Sequence, residues 1–317
     1  MEKRSVLRFQ GNGKELFGIY VINMVLTVLT LGIYAAWAKS KRLKYIYSNT
    51  EFANGRFRYH GEGIEIFKGF LKFLAVLVVI YLVYLVGVFL EDNTIIALGS
   101  IIWTLGFITV IPLAIHGGMK YRMSRTSWNG IHFGYRGDKK TLLKLYLKNV
   151  GLTIITLGIY FPWLQANLQK YIISHIRFGN IKVEWTGTGG ELFKIHLKGI
   201  LLTFITFGIY TFWYQKHLMN YHFGHVVAYQ DETKLIMIPH FSAGEIFMVG
   251  VANYFTILFT LGLGYPWAVI RIIKMYLENL IVEGDFDPDI IRQTEEDYSD
   301  ATGEGFLDAF DIGDGLF

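Results

Sequence analysis

The chain has no cysteine in its 317 residues, which excludes structural disulfides and thiolate-bound zinc. Charge is scarce as well. Asp, Glu, Lys and Arg together make up 18%, against about 25% in a typical soluble domain. No P-loop, Gly-x-Ser-x-Gly elbow or His-Glu-x-x-His helix occurs. Nor is there an Arg/Lys-rich recognition helix of the kind that reads nucleic acid. Behind the basic start Met1-Glu2-Lys3-Arg4 no apolar stretch follows, so a cleavable signal peptide is not expected.

What is abundant is apolar side chain. Hydrophobic residues are 52% and aromatics 16%, and the mean hydropathy is +0.35. This excludes a disordered chain and argues against an ordinary soluble enzyme. The apolar residues sit in long blocks, which points to a membrane. The net charge of +4 conceals an asymmetry. Residues 283–317 hold 12 acidic groups and one basic group, Arg292, so the preceding body carries +15. Its Lys and Arg flank the apolar blocks, so anionic lipid headgroups are the expected partner rather than nucleic acid.

Two blocks, 70–90 and 94–115, are each long enough to cross about 30 Å of hydrocarbon. The acidic Glu91-Asp92-Asn93 separates them. Lys68 and Lys72 precede the pair, and Lys120, Arg122 and Arg125 follow it. By the positive-inside rule both outer ends are cytoplasmic. Four further blocks cover 16–38, 142–164, 192–214 and 246–270. The middle two of these carry Lys144 and Lys148, and Lys194 and Lys198, near their starts.

The blocks repeat. Thr30-Leu31-Gly32-Ile33-Tyr34-x-x-Trp37 returns as Thr156-Leu157-Gly158-Ile159-Tyr160-x-x-Trp163 and as Thr206-Phe207-Gly208-Ile209-Tyr210-x-x-Trp213. A looser copy runs from Thr260 through Gly262 and Tyr265 to Trp267. Upstream stands an aromatic-Gly-Gly-Glu-apolar-Phe pattern, as in Phe9-x-Gly11-x-Gly13-x-Glu15-Leu16-Phe17. Downstream a tyrosine and a tight polar turn follow, at Asn54-Gly55, Asn129-Gly130 and Gly179-Asn180, with the alternation of a β-hairpin. Five units result, about 9–60, 61–136, 137–186, 187–240 and 241–288, in a membrane domain covering 1–288. Residues 289–317 form an acidic tail expected to lie outside the membrane core. Gly32, Gly158 and Gly208 fit helix C-caps, and Pro162 and Pro266 fit the first turn of a following helix.

These residues resemble the YjgN family. The Phe9-to-Phe17 start, the Asn23…Trp37 block, the Tyr45…Asn54-Gly55-x-Phe57 hairpin and the stretch Lys120-Tyr121-Arg122…Trp128-Asn129-Gly130-Ile131-His132-Phe133 carry the likeness, with the ending Asn279-Leu280-Ile281-Val282-Glu283-Gly284-Asp285. The resemblance covers residues 9–290. It implies a bacterial inner-membrane protein of a domain class without assigned function, and it supplies no catalytic or ligand-binding residues.

The expected fold is therefore an all-α polytopic integral membrane protein, with short β-hairpins between the five repeats at a membrane-adjacent face. Two topologies remain open. In one, every short unit enters and leaves on the same side as a re-entrant pair. In the other, short units cross once and the hairpins alternate sides. Tyr34, Trp37, Tyr160, Trp163, Tyr210, Trp213, Tyr265 and Trp267 are expected interface anchors. Asn23, Asn149, Gln165, Asn167, Gln169 and Asn253 are the candidate lining of a polar cavity, with Thr27, Thr153 and Thr256 beside them. Such a cavity would suit a channel or transporter for a small solute or lipid. A solid core beneath a basic face would instead suit a scaffold that organises anionic lipid or a protein partner. His217, His222 and His225 cluster in sequence but lack the carboxylate or thiolate partners of a closed metal site. Glu15, Glu65, Glu191 and Glu245 recur at helix starts, where they complement the dipole. No cofactor, metal or catalytic residue is expected, and a membrane enzyme is the least favoured reading.

Overall fold

Each short apolar block breaks at its Thr-x-Gly triplet and becomes two helices. In the computed structural model, which describes residues 4–294, α1 (Gly13–Leu29) and α2 (Ala35–Ser48) flank the first triplet. The long pair α3 (Gly63–Phe89) and α4 (Asn93–Ser124) comes next. Three short pairs follow: α5 (Lys139–Ile155) with α6 (Phe161–Ser174), α7 (Gly189–Ile205) with α8 (Thr211–Gly224), and α9 (Ala243–Phe259) with α10 (Tyr265–Glu278). The threonine hydroxyl of each triplet donates to the carbonyl four residues back and accepts the amide four residues ahead. One side chain thus caps an open amide at the start of the second helix. The glycine has φ of 89–92°, a region that glycine enters without strain. Its amide reaches the carbonyl five residues back, closing the first helix. Between them Leu31, Leu157, Phe207 and Leu261 hold φ of 48–51°, where an L-residue carries a cost of about 1 kcal/mol.

The long pair obeys the same frame. Glu91 takes the left-handed position with φ 53°, and Asp92 caps α4 through the amides of Thr94 and Ile95. Pro112, inside α4, precedes Tyr121 by the same interval that separates Pro162 from Tyr171. The helix α4 is therefore a short second helix extended backwards past its proline.

Eleven short strands join the pairs among the described residues. They are β1 (Arg4–Val6), β2 (Arg8–Phe9), β3 (Thr50–Phe52), β4 (Gly55–Tyr59), β5 (Thr126–Trp128), β6 (Ile131–Tyr135), β7 (Ile176–Phe178), β8 (Ile181–Trp185), β9 (Val226–Gln230), β10 (Thr233–Pro239) and β11 (Leu280–Glu283). They form one antiparallel sheet in the order β1-β11-β10-β9-β8-β7-β6-β5-β4-β3-β2. Only Leu7 separates β1 from β2. The first pairs with β11 and the second with β3, so the sheet nearly closes into a barrel. The helices close likewise: each packs on the next, and α10 packs on α1.

This overturns the all-α polytopic expectation. The hairpins are not isolated surface turns, because β4 pairs with β5, β6 with β7, β8 with β9 and β10 with β11 across the units. Among the described residues only α3 and α4 are long and apolar enough to cross a membrane. The hydrophobic alternation within each hairpin was visible, but pairing between units leaves no local pattern. One shared sheet also gathers all the hairpins on one side of the helical ring, an arrangement at odds with hairpins that alternate sides.

The barrel is filled. Trp128, Phe178, Ile181 and Leu235 meet Phe286 and Ile291 in its interior. Phe133 stacks on Phe178 at 4.4 Å and Phe52 tilts against Phe286 at 5.1 Å. The segment after β11 crosses the mouth. Buried Gln230 donates to the Asp287 carbonyl at 2.6 Å and accepts its amide at 3.0 Å. Arg292 and Thr294 bond Asn180 and Gly179. The start of the acidic tail is thus part of the barrel core, and residues 295–317 lie outside the described residues.

Tryptophans seal the joints between units. Trp37 lies on Gly63 and Phe67, Trp163 on Gly189 and Phe193, and Trp267 on Gly13 and Phe17. A Cβ on Gly189 would come within 2.4 Å of the Trp163 ring and 2.7 Å of its backbone. Gly189→Val is expected to lower stability by about 1–3 kcal/mol, measured as a fall in Tm of the detergent-purified protein. An unchanged Tm would show that the joint is loosely packed.

Candidate functional site

The exposed helical faces carry a basic arc. Lys68 and Lys72 on α3, Lys144 and Lys148 on α5, and Lys194 and Lys198 on α7 occupy matching positions, counted from the helix starts Gly63, Lys139 and Gly189. Each pair is four residues apart, so both amines lie on one helical face. All six lysines are exposed. At the matching places α1 has Gly18 and Ile22, and α9 has Met248 and Ala252. The arc therefore covers three consecutive units. A second basic region lies within the first unit. Lys41, Lys44, Arg58 and His60 line a concavity of 670 Å³ with Ser48, Tyr45, Tyr59 and Ile19, and none of its lining residues is acidic. His60 shares a 2.8 Å hydrogen bond with Ser127. Partial burial pushes its imidazole below the usual range, and the neighbouring His132, Arg58 and Lys44 add to this.

The candidate polar lining does not form one cavity. Asn23, Asn149 and Asn253 hold the same place on α1, α5 and α9, and all three are buried. Each binds within its own helix pair. Asn23 donates to the Ala38 carbonyl at 3.3 Å, and Asn253 donates to the Ala268 carbonyl at 3.4 Å. Asn149 accepts from Asn167 at 2.8 Å. Arg271 donates to Asn253 at 3.1 Å and to Thr256 at 2.8 Å. Gln169 reaches across a joint to His222 at 2.6 Å, while Gln165 beside it on α6 is half-buried. The asparagines clamp the two helices of a pair to each other. Sequence spacing placed them on apolar helices, but their partners lie some 15–18 residues onward, on the returning helix.

The recurrent glutamates have a role that sequence reading missed. Glu65 holds Arg125 at 2.6 Å and accepts the Tyr121 hydroxyl at 3.0 Å. Glu245 accepts from Asn279 at 2.8 Å. Tyr45 donates to Glu15 at 3.1 Å, and His225 lies 3.4 Å from Glu191. Each glutamate clasps the start of its first helix to the end of its second. A partial signal lay in the spacing of 34 residues that separates Glu191 from His225 and Glu245 from Asn279.

The aromatic anchors divide. Trp37, Trp163 and Trp267 sit in the joints, with Tyr34 stacked on Trp37 at 6.2 Å and Tyr160 on Trp163 at 5.5 Å. Tyr210 stacks on Trp213, which is exposed on α8. Tyr265 packs edge-on against Tyr20 at 5.4 Å. The three histidines separate. Those at 217 and 225 face the carbonyls of Trp213 and Tyr221, while His222 faces Gln169. Among the described residues no three His, Asp or Glu side chains converge as a metal site would need.

Burial holds the His222 pKa at about 4, with His196 and His225 nearby adding to the effect. The unfolded chain takes up a proton there from about pH 6.5 downward, and the folded chain does so only near 4. Stability is therefore lost as pH falls through that window, by at most about 3 kcal/mol. His222→Asn is expected to flatten the fall in Tm between pH 6.5 and 4. An unaltered profile would assign the loss to other groups.

The chain matches the family described as "Bacterial protein of unknown function (DUF898)" over residues 4–185, 180–232 and 237–309. It is similar to the Inner membrane protein YjgN of Salmonella typhimurium (strain LT2), 37% identical over 130 residues, which is 41% of this chain and 31% of that protein. A protein of the same name from Escherichia coli O157:H7 is 30% identical over 132 residues, 42% of this chain and 31% of the relative. The matched segment thus spans less than a third of those relatives. No solved structure matches. With a family match over nearly the whole described chain, this protein belongs to the DUF898 family of bacterial proteins of unknown function.

Proposed function

We propose that this protein is a non-enzymatic inner-membrane scaffold that gathers anionic phospholipid on the cytoplasmic side. Support for the location comes from the relatives, which are named inner membrane proteins. In this reading α3 and α4 form the transmembrane hairpin, and Lys68, Lys72, Lys120, Arg122 and Arg125 at its sheet end support a cytoplasmic barrel by the positive-inside rule. The observation that carries the function is the arc of six lysines at matched positions on α3, α5 and α7. Each lysine near an anionic surface adds about 1 kcal/mol of attraction, so their matched positions make one extended headgroup site. The transport reading draws no support from the candidate lining, whose asparagines are engaged within single helix pairs, or from the barrel, which is packed with aromatic rings.

Two measurements test this. Native mass spectrometry of the detergent-purified protein should find retained phosphatidylglycerol or cardiolipin. Retention should fall when Lys144, Lys148, Lys194 and Lys198 are all changed to Gln. Flux of ions and small solutes from vesicles carrying the protein should match that from empty vesicles. Undiminished lipid retention in the variant, or flux above the empty control, would refute the scaffold. Sidedness has its own test in this cysteine-free chain. In intact cells an impermeant maleimide should label Glu91→Cys and spare Asn54→Cys, Asn129→Cys, Lys182→Cys and Glu232→Cys.

A further inference from the structure

We infer that the tips of the four short helix pairs are lipid anchors, seated among the acyl chains of the leaflet nearest the barrel. The inference starts from a mismatch between backbone and side chain. The residue after each triplet threonine is left-handed, a conformation that favours glycine or asparagine. The chain instead places Leu31, Leu157, Phe207 and Leu261 there. Packing does not explain the choice, because these residues are 94%, 94%, 97% and 94% exposed. Bulky apolar side chains held in a strained conformation, with almost no contact to their own protein, have their use outside it.

The surroundings name the partner. Leu29 and Ile33, Ile155 and Ile159, Phe204 and Ile209, and Phe259 and Leu263 are exposed beside the four tips. Each tip is therefore an apolar patch, on the same end of the helical ring as the apolar faces of α3 and α4. The fifth tip supplies the contrast. In the long pair the left-handed position is Glu91, a charge suited to water.

Helix length sets the depth. From Lys148 and Lys198 to the ends of α5 and α7 is seven residues, about 10 Å at 1.5 Å per residue. From Lys72 to the end of α3 is seventeen residues, about 25 Å. The hydrocarbon layer is about 30 Å thick. With the lysines at the headgroups, the short tips stop within the near leaflet and the long tip reaches the far surface. This depth argument rests on the reading that α3 and α4 cross the membrane. The mismatch at the tips does not.

Environment-sensitive fluorophores test it. Single cysteines would replace Leu31, Leu157, Phe207, Leu261 and, separately, Glu91 in the full chain. Each would carry a nitrobenzoxadiazole label in phosphatidylglycerol–phosphatidylcholine vesicles. The four tip labels should lose most of their emission when the acyl chains are brominated and resist aqueous iodide. The Glu91 label should show the reverse. Tip labels quenched by iodide and not by brominated lipid would overturn the inference. Labels protected from both quenchers would place a second copy of the chain over the tips and would overturn it too. If only the Glu91 label departs from expectation, the crossing by α3 and α4 fails while the tip anchors stand. A last variant removes the packing alternative. Leu157→Asn suits the left-handed backbone, so the Tm in detergent should hold or rise. A fall would show that Leu157 supports the fold itself and would count against a lipid role.

Discussion

Pairing between strands of successive units is the constraint on which this structure rests. Strands of two to seven residues have too few hydrogen bonds to stand alone. Each hairpin is stabilised because both of its edges pair with further strands. The ring then fixes where every helix pair begins and ends. The glutamate clasps, the buried asparagines and the tryptophan joints all act within that frame. They hold the two helices of a pair together and hold one pair against the next.

The same frame accommodates two kinds of helix pair. A turn built on Thr-Leu-Gly gives a short pair, and a turn built on Glu91-Asp92 gives a long one. The sheet sees no difference, because both pairs return a strand to the same place. A unit can therefore change how far it projects without disturbing the barrel. Pro112 marks where that change was made: its place in the frame is the start of a helix elsewhere, and here the helix runs on through it.

Much of this was legible in the residues. The triplets, the entry glycines and the spacing from Trp to Tyr marked the helix pairs and the hairpins, because caps and tight turns depend on nearby residues. The two long helices were legible from composition. The barrel was not, since the bonds from Phe57 to Trp128 or from Arg4 to Glu283 join residues with no local relation. The partners of the candidate polar residues were hidden for a similar reason. Asn149 on an apolar helix looks the same whether it faces a cavity or Asn167 on the adjacent helix. Length was the better guide for the short blocks, where only seven residues separate the last lysine from the end of α5 or α7.

The seam between β1 and β11 bears on the order of folding. Arg4 pairs with Glu283, so the ring cannot be sealed until nearly the whole described chain has been made. Loop closure over such a separation is slow because its entropic cost comes before any contact repays it. Until then the growing sheet has two open edges, one at β2 and one at the newest hairpin. Such edges are templates for pairing with other chains. The mouth segment from Phe286 to Ile291 follows β11, so it too can dock only after the last strand has been made. The rings of Phe52 and Trp128 must wait for it, uncovered on that side. The symmetry that makes each unit simple thus concentrates the kinetic risk of the fold at a single late event.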